Sequence, residues 1–279
     1  MNINGKEKQC LILKLYPVPR RNMKKAAILC LLITLFLACK SLHDQKSVDD
    51  DLVEINLDFE DSTHYPWEGQ YNEGNFSIMG DSNDKFGAFR LYENGDYWTS
   101  PNTGLKTARS EIQLFNTCKI DTKMSYSFDF QIPNSYVESG DWQIICQFHD
   151  QPDASAGETW ANYPSHSPPV SVKYKNGGIV IAVYSWETNQ IMDLVSVPIE
   201  KDTWYNLKLE IKWSLKNDGY VRAFLNGVAV MKADNKQIYY GRNCFNKASN
   251  YVKIGLYRSN DIMTYGEIYF DNVLSKRIE

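Results

Sequence analysis

The stretch LKLEIKW, Leu207–Trp213, sets an apolar residue at every second position: Leu207, Leu209, Ile211 and Trp213 alternate with Lys208, Glu210 and Lys212. An extended chain places successive side chains on opposite faces, so this segment reads as a β-strand with one face buried. Tyr126, Phe128, Phe130 and Ile132 interleave with Ser127, Asp129 and Gln131 in the same way. Between Tyr220 and Met231 the run YVRAFLNGVAVM sets Asn226-Gly227 between two β-rich arms. That dipeptide is the signal for a tight type I′ hairpin, whose two central residues need positive φ. No stretch past Asp58 carries an amphipathic helical period. Many short antiparallel strands imply an all-β fold, a concanavalin-like β-jelly-roll sandwich with one concave face for a ligand.

Composition agrees with a packed domain. The chain has 279 residues, 43% of them apolar, 13% aromatic and 23% charged. This balance excludes disorder, collagen, coiled coil and a polytopic membrane protein. Met1 to Ala38 hold seven Lys/Arg and the single acid Glu7; removing them from 30 basic and 34 acidic residues leaves 23 and 33, a net of −10. Nucleic acid is not an expected partner, because phosphate contacts demand a basic surface.

Arg20, Arg21, Lys24 and Lys25 precede the apolar run Ala26–Ala38, AAILCLLITLFLA. The run is short for a bilayer span and ends in a small residue before Cys39, so residues 1–38 read as a secretory signal, with Met23 as an alternative start. FLAC, Phe36–Cys39, resembles a bacterial lipoprotein box, in which Cys39 is lipidated and becomes the mature N-terminus. Phe36 replaces the usual Leu, which keeps ordinary signal-peptidase cleavage open. The expectation is an exported protein held by its lipid to a bacterial membrane. Residues 39–52 form an acidic tether that includes His43, and 53–279 form one domain without linker or repeat. Past the signal and Cys39, only Cys118, Cys146 and Cys244 remain, with no metal-ligand spacing; Cys146 falls on the apolar side of a strand and reads as a buried thiol.

Three further segments carry polar residues on one strand face. In TARSEIQLF, Thr107–Phe115, Ile112 and Leu114 face the core while Arg109, Glu111 and Gln113 line the other side. In DWQIICQFHD, Asp141–Asp150, Ile144, Cys146 and Phe148 form the inner row, and Ile145, Gln147 and His149 the outer. In YVKIGLYRS, Tyr251–Ser259, Val252, Ile254 and Leu256 are inner, leaving Tyr251, Lys253, Gly255 and Tyr257 outside. Arg, Gln, His, Lys and two Tyr on adjoining faces suit an anionic sugar groove.

RSEI (Arg109–Ile112), QFH (Gln147–His149) and YVKIGLY (Tyr251–Tyr257) resemble the three signature strands of the jelly-roll polysaccharide lyases. The wider context, including SPPVSVKY, KDTWYNLKLEIKWS and IYFDNV, is most similar to the heparin lyase I and glucuronan lyase group. The resemblance covers roughly Asp58 to the C-terminus, and each tripeptide is weak alone. It implies β-elimination at a uronic acid, in which a base removes the C5 proton and an acid protonates the departing C4 oxygen. Arg109 and Gln147 match the positions that neutralise the carboxylate as charge develops on it. His149 and Tyr257 match the proton-transfer pair, and which of them is the base stays open. Lys253 would lower the phenol pKa by proximity and bind an acidic subsite. Tyr251, Arg258, Lys106 and Gln113 are further substrate-contact candidates. His64 and His166 read as structural, unless a loop over the groove brings one to substrate.

No cofactor is expected for the reaction. Asp58, Glu60 and Asp271 lie near the first and last strands and could meet to hold a structural calcium ion, as in related sandwiches. The expected partner is an acidic polysaccharide, bound by a monomer. The acidic mature chain favours glucuronan or alginate, with heparin-like chains open because local potential can oppose net charge. Two other classes compete. A non-catalytic carbohydrate-binding lipoprotein would keep platforms such as Trp160 and Trp186 without needing His149 and Tyr257 together. A glycoside hydrolase would need two facing carboxylates, for which Glu267 and Asp271 are the candidates.

Overall fold

The computed structural model describes residues 52–164, 166–232 and 234–279. The signal, Cys39 and almost all of the acidic tether lie outside them. In chain order the strands are β1 (Asn56–Leu57), β2 (Glu68–Gln70), β3 (Phe76–Asp81), β4 (Asp84–Leu91), β5 (Trp98–Thr99), β6 (Lys106–Cys118), β7 (Lys123–Gln131), β8 (Gln143–His149), β9 (Val170–Lys175), β10 (Gly178–Ser185), β11 (Gln190–Pro198), β12 (Trp204–Lys212), β13 (Tyr220–Leu225), β14 (Val228–Ala229), β15 (Tyr239–Tyr240), β16 (Asn250–Arg258) and β17 (Gly266–Arg277). A single 3₁₀ turn, Ala154–Ala156, is the one helical element among the described residues. No described helix is long and apolar enough to cross a membrane.

The strands form two antiparallel sheets. One runs β14-β13-β12-β7-β17-β4-β3, with β1 on β17 and β15 on β13; the other runs β11-β10-β9-β8-β16-β6-β2, with β5 on β6. The period-two sets meet between them. Tyr126, Phe128, Phe130 and Ile132 from the first sheet are buried with Leu207, Leu209, Ile211 and Trp213 in one core with Ile112, Phe148, Val252, Ile254 and Leu256 from the second. Two polar groups inside this core satisfy each other: Trp213 Nε1 donates to the Tyr126 hydroxyl at 2.8 Å, which donates to the Thr117 carbonyl at 2.6 Å. The hairpin forms as the sequence predicts, with Leu225 paired to Val228 and positive φ at Asn226 (49°) and Gly227 (77°). Cys118, Cys146 and Cys244 are all buried free thiols.

One expected alternation fails. Ile145 joins Cys146 and Phe148 in the core, whereas Ile144 faces outward with Gln147 and His149. The cause is a register shift between Ile144 and Cys146 in the β8–β9 pairing, matched by one between Ile254 and Tyr257 in β8–β16. An extra residue in a strand turns everything beyond it to the other face. Two consecutive apolar residues hide such a bulge, since either can face the core.

Gly255 lets β6 and β16 close on each other. Its φ is +133°, and a Cβ there would stand 2.3 Å from the Ser110 carbonyl oxygen and 2.7 Å from the Glu111 Cα. Gly255→Ala is therefore expected to cost about 2–4 kcal/mol, read as a lower urea midpoint at unchanged slope, because backbone must move to admit one methyl group.

Candidate active site

A groove of about 880 Å³ runs across the second sheet, from Glu68 and Gln70 on β2, over β6, β16 and β8, to Ser171 and Lys173 on β9 and Ile191 on β11. Strand pairing brings the three motifs side by side. Tyr257 pairs with Arg109, Lys253 with both Gln113 and Gln147, and Tyr251 with His149. Trp98, Trp142 and Trp160 stand along the walls, and the segment between β8 and β9 adds Tyr163 and His166.

The floor is a polar network that sequence alone does not reveal. Gln70 Oε1 accepts from Arg109 Nη1 at 2.7 Å and from Lys253 Nζ at 3.0 Å. Glu111, fully buried, accepts from Gln147 Nε2 at 2.6 Å and lies 3.0 Å from Arg109 Nε. Gln113 Nε2 donates to Glu68 at 3.0 Å. The Oε1 atoms of Gln113 and Gln147 are buried without a partner. A buried amide oxygen without a donor costs free energy, so this floor is not fully satisfied as it stands. The Arg109 guanidinium lies 4.1 Å over the Tyr257 ring, and Trp142 meets that ring edge-on at 4.9 Å.

His149 is fixed at one nitrogen. Its Nδ1 is 2.6 Å from the Asp150 carbonyl oxygen, which can only accept; Nδ1 therefore carries the proton and Nε2 presents its lone pair. Burial, then the positive charge of Lys253, hold the imidazole far below its ordinary pKa, at about 3, so it is neutral at physiological pH. Burial and the Arg109 charge bring Lys253 down to about 7. Burial raises the Tyr251 phenol, whose ring stacks on Phe115 at 4.5 Å beside His149.

Asp150, a residue the motifs did not single out, is 1% exposed, with Oδ1 3.4 Å from His149 Nδ1 and Oδ2 3.8 Å from His166 Nδ1. Burial pushes its carboxyl up. His166 thus reaches the groove through its loop. His64 instead bonds the Trp67 carbonyl and the Tyr71 hydroxyl and does not line it.

Two expected contacts are corrected. Arg258 is 1% exposed and lies on the core side of β16, with Val252, Ile254 and Leu256; its Nη2 reaches the Tyr92 carbonyl at 3.4 Å. Position 258 has the inward parity, which its charge concealed. Lys106 is exposed opposite Thr99, on an even position of β6 and outside the groove lining. Of the three acids weighed for calcium, Asp271 has its carboxyl raised chiefly by burial, and Glu60 lies near enough to add to the rise. Asp58 caps the Glu60 amide, Glu60 accepts from the Lys85 amide, and Asp271 accepts from Asn272. Among the described residues no three His, Cys, Asp or Glu side chains stand where they could share a metal ion.

Two facing antiparallel sheets with a polar groove across one of them define a β-jelly-roll sandwich. Residues 67–274 match the family model described as polysaccharide lyase, and the chain belongs to that family and is a lyase. Among solved structures it is similar to an endo-β-1,4-glucuronan lyase from the fungus Trichoderma reesei, at 14% identity and TM-score 0.61 over 80% of this chain and 95% of that one. An alginate lyase of polysaccharide lyase family 7 aligns at 15% identity and TM-score 0.50, over 74% and 85%. A further alginate lyase, solved with dimannuronate, aligns at 12% and 0.50, over 74% and 79%. Such identities show the shared fold. No curated protein matches the chain in sequence.

Proposed function

We propose that this lyase cleaves a polyuronate such as glucuronan or alginate by β-elimination, with His149 as base and Tyr257 as acid. The observation that carries this reading is the convergence of Arg109, Gln147, His149 and Tyr257 on three neighbouring strands around the buried cation Lys253. His149 Nε2 takes the C5 proton. The C5–H electron pair becomes the C4–C5 double bond as the C4–O bond breaks, and the Tyr257 hydroxyl protonates the leaving oxygen. Charge gathers on the C6 carboxylate during the step. Arg109 and the second amide proton of Gln147 are fixed donors for it, needing no reorganisation as charge grows.

The groove's cations favour carboxylates over dense sulfation. The described lining holds three lysines and arginines, Arg109, Lys173 and Lys253, and Glu68 adds a negative charge at the rim. The test is ultraviolet absorbance of the unsaturated product from glucuronan, alginate, heparin, heparan sulfate and chondroitin sulfate. A rise with glucuronan or alginate supports the proposal. A rise with heparin or heparan sulfate alone overturns the substrate, and binding without any rise overturns the chemistry in favour of a carbohydrate-binding role.

The Lys253 environment predicts a pH dependence. The ammonium is charged below its pKa of about 7 and neutral above, so attraction for a uronate carboxylate fades as pH rises through 7. Arg109, Glu111, Asp150 and His149 surround it; of these, His149 is neutral throughout that window. Between pH 6 and 8.5, kcat/KM, which reports the free enzyme, is expected to decline in the wild type. Lys253→Met starts lower and lacks that limb; a parallel decline in both would assign it elsewhere.

A further inference from the structure

We infer that Lys173 forms a separate carboxylate-binding subsite, beyond the uronate that loses its C5 proton. This rests on the proposed polyuronate reading and extends it along the same groove. Lys173 pairs across the sheet with Ile144, which in turn pairs with Tyr257, so it stands on β9, two strands from β16. Neighbouring strands lie about 4.8 Å apart, placing it roughly 10 Å from the central column. The groove crosses the strands, and a pyranose ring with its linkage advances by a length comparable to one strand spacing. Successive sugars therefore fall on successive strands.

The side chain is built for such a contact. Lys173 is 8% exposed, unusual for lysine, and lines the groove. Among the described residues its one carboxylate partner is Asp193 Oδ1 at 2.8 Å, on the edge strand β11. Asp193 is 42% exposed at its side chain and also lies 3.8 Å from Lys175 Nζ. The buried partner is held in place while the exposed one can turn to solvent or to Lys175. An ammonium carries three donors, and Asp193 uses one of them. A uronate carboxylate arriving over β9 thus meets a positioned cation whose present partner is loosely held.

The test measures kcat/KM and, by calorimetry, Kd for a size series of the cleaved polyuronate, trimer to hexamer, in wild type, Lys173→Ala, Lys173→Gln and Asp193→Asn. The hexamer-over-trimer preference is expected to fall about tenfold in both Lys173 variants, the loss of one carboxylate contact. It is expected to rise in Asp193→Asn, which frees the ammonium and removes a competing negative charge. A preference unmoved by all three, with only melting temperature changed, makes the pair a structural brace and overturns the subsite. If Lys173→Ala fails to fold, Lys173→Gln and Asp193→Asn decide. A wild type that binds with the Lys173-dependent preference but forms no unsaturated product keeps the subsite and overturns the lyase chemistry. One that does neither overturns both.

Discussion

His149→Ala is expected to lower kcat by about 10²–10⁴-fold, the range that a positioned general base contributes. The fold should tolerate the change. The His149 side chain is 21% exposed, opens into the groove, and is anchored by one bond to a backbone carbonyl of the next residue. Its low pKa sharpens the expectation. An imidazole at about 3 stays neutral down to strongly acidic pH, so the wild type should show no acid limb from this group between pH 5 and 8. Low pKa also means modest basicity, and the C5 proton is weakly acidic. The proposed elimination therefore leans on Arg109 and Gln147 to hold the carboxylate charge as the proton leaves. Tyr257→Phe should fall in the same range, because the ring packing against Arg109 and Trp142 survives while the proton donor is lost. Continuous ultraviolet assay with saturating polyuronate checks both, alongside near-UV dichroism for the fold. Near-wild-type turnover in both variants would sink the assignment of the pair.

The period-two pattern made the strands legible, since a sheet with one buried face repeats its burial rule at every second residue. That rule placed Tyr126, Phe128 and Phe130 in the core, and Arg109, Gln147, His149, Tyr251, Lys253 and Tyr257 on the groove. Arg258, expected at the substrate, lies inside instead; its parity follows Leu256, but a positive charge beside Tyr257 obscured that. The bulge at Ile144–Cys146 could not be read, because two adjacent apolar side chains satisfy the pattern in either register. What the sequence hid altogether was the support of the site. Gln70 joins Arg109 to Lys253 from a three-residue strand, β2, with no apolar pattern of its own. Asp150 and His166 meet only because the segment between β8 and β9 folds back over the groove. Such contacts arise from strand order and loop path, which local periodicity does not encode.

Arg109 should show the other large effect, and its two roles can be separated. Arg109→Ala removes the proposed donor to the developing carboxylate charge, for which a loss of about 10²–10³-fold in kcat/KM is typical. It also strips Glu111 of its nearest countercharge. Glu111 is fully buried and would keep the Gln147 amide and the Lys253 charge but lose its nearest cation, and removing one partner of a buried pair costs up to about 3–5 kcal/mol. The single variant should therefore be both slow and unstable, and by itself would not show which defect is which. Adding Glu111→Gln removes the buried charge. The double variant is expected to recover most of the lost melting temperature while staying slow, because the amide restores neutrality beneath the groove but supplies no cation above it. Arg109→Lys should keep the charge yet regain only part of the rate, since an ammonium lacks the planar fork that grips a carboxylate at two points. If the double variant regained activity in step with stability, the guanidinium would be a brace for Glu111, and the charge on the substrate would have to be met by Lys253 and Gln147 alone.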